Sequence, residues 1–465
     1  MGQINFRIPA RFKFEKRTAS TVHVIGLDGI PWPCKISLAD DILSIERNRD
    51  ESGHVFVVYP FDDFGELVVS TGTLVETPVP YHLTLELARG TLNRLRNQLS
   101  IWEEGGLSAG GEVHELLQAA TGSLAAAIMS AEPEVTDREA HQALVLGMQA
   151  TFLLCQRFAT DVLPLRSEQL RAPRFWLGVQ ADDAALEKVQ PSLDFVDLVQ
   201  LETVEQRHQS LNNIILGPML DAAAGGMKAS WAETDNFDEK QSAILRDCRE
   251  KLRGPLENVK LIHVVSGING MGHRHLSYPQ QLQITMELLQ MVENSGVQIP
   301  TMVSFDTPWA ERLAWSVGGV HPLQIADSLL RRGVSLSIIG LDINLDYWPN
   351  GSLPRDPTQW IDLVDMWSQL GIPLVIRLSA PTVVKGIVAS TTNRTINSVR
   401  ESMTDVQCLH LIETAIPTIL ARPMVHGIVW TQLVDNFDPR FPYAGLFGAD
   451  GERKPIANSV SRWFK

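Results

Sequence analysis

Eight short apolar runs lie between residues 171 and 465, and most are separated from the next by a stretch of helical period. They cover residues 175–181, 196–202, 214–221, 259–266, 301–306, 336–342, 374–379 and 427–433, and they are rich in Val, Ile and Leu. Near-continuous runs of that kind read as parallel strands buried on both faces. Amphipathic stretches at 278–293, 358–370 and 400–420 supply crossover helices. Eight β/α units predict an α/β fold closed as a (β/α)8 TIM barrel, with its site at the C-terminal ends of the strands. The competing fold, a doubly wound open sheet, lacks its G-x-G-x-x-G turn after the first run. The barrel is the expectation.

The preceding residues follow two other patterns. Residues 1–80 hold short strands such as Thr21-Val22-His23-Val24-Ile25 and Val55-Phe56-Val57-Val58-Tyr59, spaced by turn residues. That spacing predicts a small β-sandwich-like domain with a structural or ancillary role. Residues 81–170 become helical. One helix is expected over Leu83–Glu104, stopping at Gly105-Gly106, and a second over 111–130. A third is expected from Thr136, whose spacing to Glu139 is that of a capping box, to about Asp161. This helical connecting region would pack the β-domain against the barrel.

Composition narrows the partners. A net charge of −14 argues against nucleic acid, since phosphate binding needs a basic face. No run approaches the length of a membrane span, and the first residues lack an apolar signal core. Cys34, Cys155, Cys248 and Cys408 form no C-x-x-C pair and read as core thiols of a reducing compartment, so the simplest location is cytoplasmic. No H-E-x-x-H helix, P-loop or G-x-S-x-G elbow is present, and no metal or cofactor is expected. His273-Arg274-His275 could bind a metal or anion, but its glycine-rich neighbourhood reads more simply as a polar loop.

The expected strand ends carry Asp182, Glu202, Asp221, His263, Asn269, Asp306, Glu311, Asp342, Asp346, Arg377 and Asp435. Trp231, Trp309, Trp348 and Trp430 stand at the same rim, and flat rings at a cleft suit sugar rings. The closing segment is the most distinctive. Val425–Trp430 runs through Gln432 and Asp435 to Tyr443-Ala444-Gly445-Leu446-Phe447 and then Lys454-Pro455. This ending resembles the last β/α unit of glycoside hydrolase family 10. Ile339-Gly340-Leu341-Asp342-Ile343-Asn344 resembles that family's sixth strand, which implies that Asp342 and Asn344 face a sugar cleft.

The resemblance stops at the family's two catalytic glutamates. Gly267 occupies the position after the fourth strand, within Ser266-Gly267-Ile268-Asn269. Leu378 occupies the one ending the seventh, within Ile376-Arg377-Leu378-Ser379. Glycoside hydrolysis needs a proton donor and a second carboxylate. Glu311 and Asp342, with Asp306 as the further candidate, are the expected replacements. Pro308 would start a helix that places Glu311 near its positive end. Glu202, His263, Asn269, Trp309, Asn344, Trp348, Arg377, Trp430 and Asp435 are the expected substrate contacts. Arg377 could clamp an anionic sugar or neutralise Asp342. The resemblance thus implies a glycosidase-like protein acting on an oligo- or polysaccharide with non-standard carboxylates; the alternative is a non-catalytic carbohydrate-binding protein on the same barrel.

Overall fold

The computed structural model describes residues 2–10, 12, 16–169, 175–189, 193–222, 236–270, 276–315, 319–382, 403–435, 438 and 440–463. Strands β1 to β8 form two four-stranded sheets. Cys34–Ala39 (β4), Ile42–Arg47 (β5), Gly2–Arg7 (β1) and Tyr81–His82 (β8) make the first, in that order. Pro31–Trp32 (β3), His23–Gly26 (β2), Gly53–Phe61 (β6) and Gly65–Ser70 (β7) make the second. Alternation along the strands buries Ile4, Phe6, Leu43, Ile45, Val55, Val57 and Val69 on one face of each. The opposite face of the second sheet is apolar too: Val58 and Val68 pack with Leu353 and Trp348 of the barrel.

Helices Leu83–Glu104, Gly111–Met129 and Pro133–Gln169 follow. The third begins one turn earlier than the capping-box spacing suggests, because Pro133 has the fixed φ that suits a first helical turn. Asp137 instead accepts a hydrogen bond from Thr84 Oγ1 at 2.9 Å, tying the first and third helices together. Arg94 reaches back to the Ser70 carbonyl at 3.1 Å, which fastens this layer to β7. Arg166 fastens it to the barrel. Its guanidinium donates to the carbonyls of Leu420, Arg422 (2.6 Å), Pro423 (2.9 Å) and Val425 (2.7 Å). A cation there binds the last carbonyl of helix Asp405–Leu420 and those of the turn that leads into strand Val425–Trp430.

The barrel is closed and wholly parallel. Its strands are Trp176–Gln180 (β9), Leu198–Leu201 (β10), Ile214–Leu216 (β11), Val259–Ser266 (β13), Thr301–Asp306 (β14), Ile338–Asn344 (β15), Leu374–Ser379 (β16) and Val425–Trp430 (β17). β17 pairs with β9 and β11 with β13, completing the ring. The third run is split: Gly217-Pro218 interrupts it, and Leu220–Asp221 (β12) resumes pairing beside Val265 and Ser266. Pro218 has no N–H to offer a ladder, and Gly217 approaches the His263 carbonyl so closely that a Cβ would lie 2.3 Å from it. The sixth strand extends to Asn344, so Asp342 lies within it and not at its tip.

The interior of the barrel is layered. Trp176, Leu198, Ile215, Leu261, Met302, Ile338, Val375 and Val429, one from each strand, form an apolar plug at the N-terminal end. Two residues further along, the same inward face carries Gln200, His263, Ser304, Gly340 and Arg377. The next inward layer brings Gln180, Asp306 and Asp342. A barrel that is oily below and polar above directs its chemistry to the C-terminal face. Cys155, Cys248 and Cys408 are buried and Cys34 half-buried, all as free thiols. No helix among the described residues is long and apolar enough to cross a membrane.

Candidate active site

Asp342 is the centre of the polar layer. Ser304 Oγ donates to its Oδ2 at 2.6 Å, and Arg377 Nη1 lies 3.0 Å from its Oδ1. Arg377 also donates to Ser266 Oγ at 3.1 Å and Ser304 Oγ at 3.3 Å, and its other nitrogen to Gln180 Oε1 at 2.9 Å. His263 completes the network. Its Nδ1 faces Gln200 Nε2 at 3.1 Å, and its Nε2 faces Ser304 Oγ and the Val265 carbonyl, both at 3.1 Å. Gln200 donates and Val265 accepts, which assigns a neutral ring with its proton on Nε2. Burial and then the Arg377 charge push the His263 pKa well below 6.5, in agreement with that assignment. Burial pushes Asp342 up to about 6 against the opposing pull of Arg377 and Ser304, with Asp306 and Asp221 raising it further.

Asp306 stands beside Asp342 on the neighbouring strand, as its register partner. Met302 and Ser304 of the same strand point inward, so Asp306 does as well. Its Oδ1 accepts from the Thr307 N–H at 2.9 Å, and its Oδ2 pairs with Arg312 at 2.8 Å. Asn269 clamps the strand end from the loop after β13, through bonds of 2.6 and 2.8 Å to the Asp306 backbone. Asp221 pairs at 3.6 Å with Arg440, which also binds Asp438. Thr307, Ala310, Asp346 and Tyr443 all adopt left-handed φ angles of 42° to 64°. Non-glycine residues pay strain there, and all four lie in loops at the C-terminal face.

The other expected residues are distributed as follows. Asn344 accepts from Ser379 Oγ at 2.7 Å at the strand tips. Glu202 lies on the outer surface, where it pairs with Lys251 at 2.8 Å. His263 is wholly buried beneath Asp342 and offers no surface to a ligand. Trp430 is also wholly buried, its indole N–H bound to the Ala444 carbonyl at 2.7 Å, so the stacking face expected of it is absent. Asp435 accepts from Lys454 Nζ at 2.6 Å and from the Gly445 N–H at 2.8 Å. Lys454, itself buried, also donates to the carbonyls of Thr382 and Tyr443. The distinctive closing segment is therefore a clasp that fastens the last loop. Trp231 and His273-Arg274-His275 lie outside the described residues.

Glu311 departs furthest from expectation. Among the described residues Pro308 starts no α-helix: Glu311 opens the 3-10 turn Glu311–Trp315, which offers no α-helical dipole to it. Glu311 is fully buried, 3.5 Å from Arg355. The Arg355 guanidinium lies between the rings of Phe56 and Trp309, at 5.5 and 5.1 Å. Trp309 bonds the Gln359 carbonyl at 3.3 Å in the same seam. Glu311 and Trp309 thus hold the barrel to the second N-terminal sheet, whereas Asp306 and Asp342 share the barrel interior. Sequence reading passed over Gln180, Gln200, Ser266 and Ser304. The usable signal was alternation: Ser304 lies two residues before Asp306 on β14 and so shares its inward face. Among the described residues no group of three His, Cys, Asp or Glu side chains is arranged to hold a metal.

No protein-family model matches this chain, and no curated protein matches it. Among solved structures, it is similar to the β-D-glucuronidase of Dictyoglomus thermophilum at 11% identity and a TM-score of 0.43, over 63% of this chain and 51% of that one. The chain thus spans about half the length of that glucuronidase. It is similar to a GH10 endoxylanase from a sugarcane soil metagenome at 10% identity and a TM-score of 0.44, over 67% and 99% of the two chains. Native xylanase 10B from Thermotoga maritima is similar at 9% identity and a TM-score of 0.43, over 67% and 97%.

Proposed function

We propose that this protein is a glycosidase-like barrel that acts on an oligo- or polysaccharide at its C-terminal face, with Asp342 and Asp306 as the working pair. The observation that carries the reading is their adjacency in register, both inward, on neighbouring strands. Neighbouring strands lie about 4.8 Å apart, close to the roughly 5–5.5 Å between the carboxyl groups of a retaining glycosidase. Their surroundings differ in a useful way. Asp342 is desolvated and pushed up to about 6, which suits a group that gives a proton to a leaving oxygen. Asp306 has the Arg312 charge and the Thr307 N–H on its oxygens, which suits an anionic nucleophile. In that scheme Asp342 protonates the glycosidic oxygen while Asp306 attacks the anomeric carbon. Water then releases the sugar, and Asp342 takes the water proton back.

A second reading has its own observation. Arg377 stands 3.0 Å from Asp342 in a buried pair, and a carboxylate neutralised by arginine is a poor proton donor. On that reading the barrel binds carbohydrate without cleaving it. A panel of defined oligosaccharides, assayed for cleavage and for binding with the parent, Asp342→Asn and Asp306→Asn, decides between them. Cleavage by the parent that both variants lose supports the pair. Binding by all three without cleavage establishes the second reading, and cleavage that survives both substitutions removes these residues from the chemistry.

A further inference from the structure

We propose that Trp315 forms an aromatic sugar-binding subsite contiguous with the Asp306–Asp342 pair, built jointly by the barrel and the N-terminal sheet. The identity of the ligand as a sugar rests on the function proposed above. The placement rests on geometry of its own.

Trp315 closes the 3-10 turn Glu311–Trp315 that follows β14. A 3-10 turn has three residues per turn, so side chains three apart eclipse on one side. Glu311 and Ala314 share the buried side, which faces the seam. Arg312 and Trp315 share another. Arg312 reaches Asp306 Oδ2 at 2.8 Å and the Pro349 carbonyl at 3.2 Å, so its side of the turn is the one that addresses the candidate carboxylate. Trp315 then stands about one 3-10 turn, roughly 6 Å, further along the same side. That is about the length of one sugar unit.

The ring is exposed yet braced. Trp315 is 39% exposed, so part of its ring is open to solvent. Trp348 meets it edge-on with centroids 4.8 Å apart, and His23 of β2 meets it edge-on at 5.7 Å. His23 is buried, and its Nδ1 lies 2.9 Å from the Thr21 carbonyl, so it forms a rigid back wall. An exposed indole held from two sides loses little freedom on binding, which favours a flat apolar face such as that of a pyranose ring. Thr307 and Ala310, in left-handed conformations with φ of 42° and 62°, set the path that brings this turn over the strand end.

The test measures binding of xylohexaose, cellohexaose and laminarihexaose, and of the matching disaccharides, by calorimetry and tryptophan emission. It compares the parent, Trp315→Ala and Trp315→Phe, each also carrying Asp342→Asn so that nothing is turned over, at a temperature where circular dichroism shows all three to be folded. The expected result is that at least one hexasaccharide binds the parent, that Trp315→Ala weakens it by about tenfold, and that Trp315→Phe recovers most of the loss. The matching disaccharide should change by less than about twofold. Hexasaccharide binding equal in parent and Trp315→Ala overturns the subsite and leaves the carbohydrate reading standing. Failure of the parent to bind any of the sugars overturns both.

Discussion

Asp342 and Arg377 lie 3.0 Å apart in the upper half of the barrel, each less than 6% exposed, and they are register partners on adjacent strands. Each charge is tolerable there only because the other is present. Removing one partner of a buried pair leaves an uncompensated charge and costs about 3–5 kcal/mol. Arg377→Met and Asp342→Asn should each destabilise the fold substantially in urea unfolding. The double variant should be destabilised by clearly less than the sum. Additive losses would show that the two groups do not interact.

Asp342 also predicts a pH dependence with a definite sign. Its folded pKa, about 6, lies above the ordinary 3.8, so the folded state holds the proton more tightly than the unfolded chain does. That contribution to stability is fully present below about pH 4 and is lost as the pH rises through 6. The gap corresponds to on the order of 3 kcal/mol. Urea unfolding of the parent and Asp342→Asn at pH 4, 5, 6 and 7 reads it, because the groups not coupled to Asp342 cancel in the difference. The parent should lose stability relative to the variant as the pH rises. A flat difference, or one of opposite slope, would refute the raised pKa.

Gly340 lets this layer close. A Cβ there would lie 2.5 Å from the Ser304 Cβ and 3.4 Å from the Arg377 Cδ. Gly340→Ala should cost at least about 1–3 kcal/mol through overpacking. Ser304→Gly also destabilises, because it removes the hydroxyl that binds Asp342, His263 and Arg377, but it takes away the colliding carbon, so the double variant should lose less melting temperature than the sum of the two single losses. Additive losses would mean that the two side chains do not collide.

Glu311 offers a contrast between stability and site. Glu311→Gln leaves Arg355 without its counter-charge between Phe56 and Trp309, and unfolding should become easier by about 3 kcal/mol or more. Sugar binding or cleavage per folded molecule should stay at the parent level. Loss of cleavage with stability intact would return Glu311 to the catalytic pair.

The fold was largely legible because buried parallel strands write themselves as apolar runs whatever their neighbours are. All eight runs became barrel strands, with ends displaced by a few residues where pairing outlasted the apolar pattern, as at Asn344. The short N-terminal strands were legible from their spacing by turn residues, and the three helices from apolar residues at helical spacing. Asp342, Asp306 and Arg377 were legible as strand-end charges, and alternation along β14 and β15 places the two aspartates on one inward face. Trp430 and Asp435 were misleading because an aromatic ring or a carboxylate at a strand end has the same appearance in sequence whether it lines a cleft or locks a loop.

What the sequence determined by itself was periodicity, and periodicity is local: two-residue alternation and helical spacing are set within a few neighbours. What only the tertiary structure decided was which distant charge meets which. Glu311 meets Arg355, 44 positions on by number, which lies buried against Phe56 of the second N-terminal sheet. Lys454 claimed Asp435, and Arg377 reached Asp342 across a strand pair. Desolvation forces every buried charge to find a partner, and the choice of partner depends on how the strands and loops pack in three dimensions.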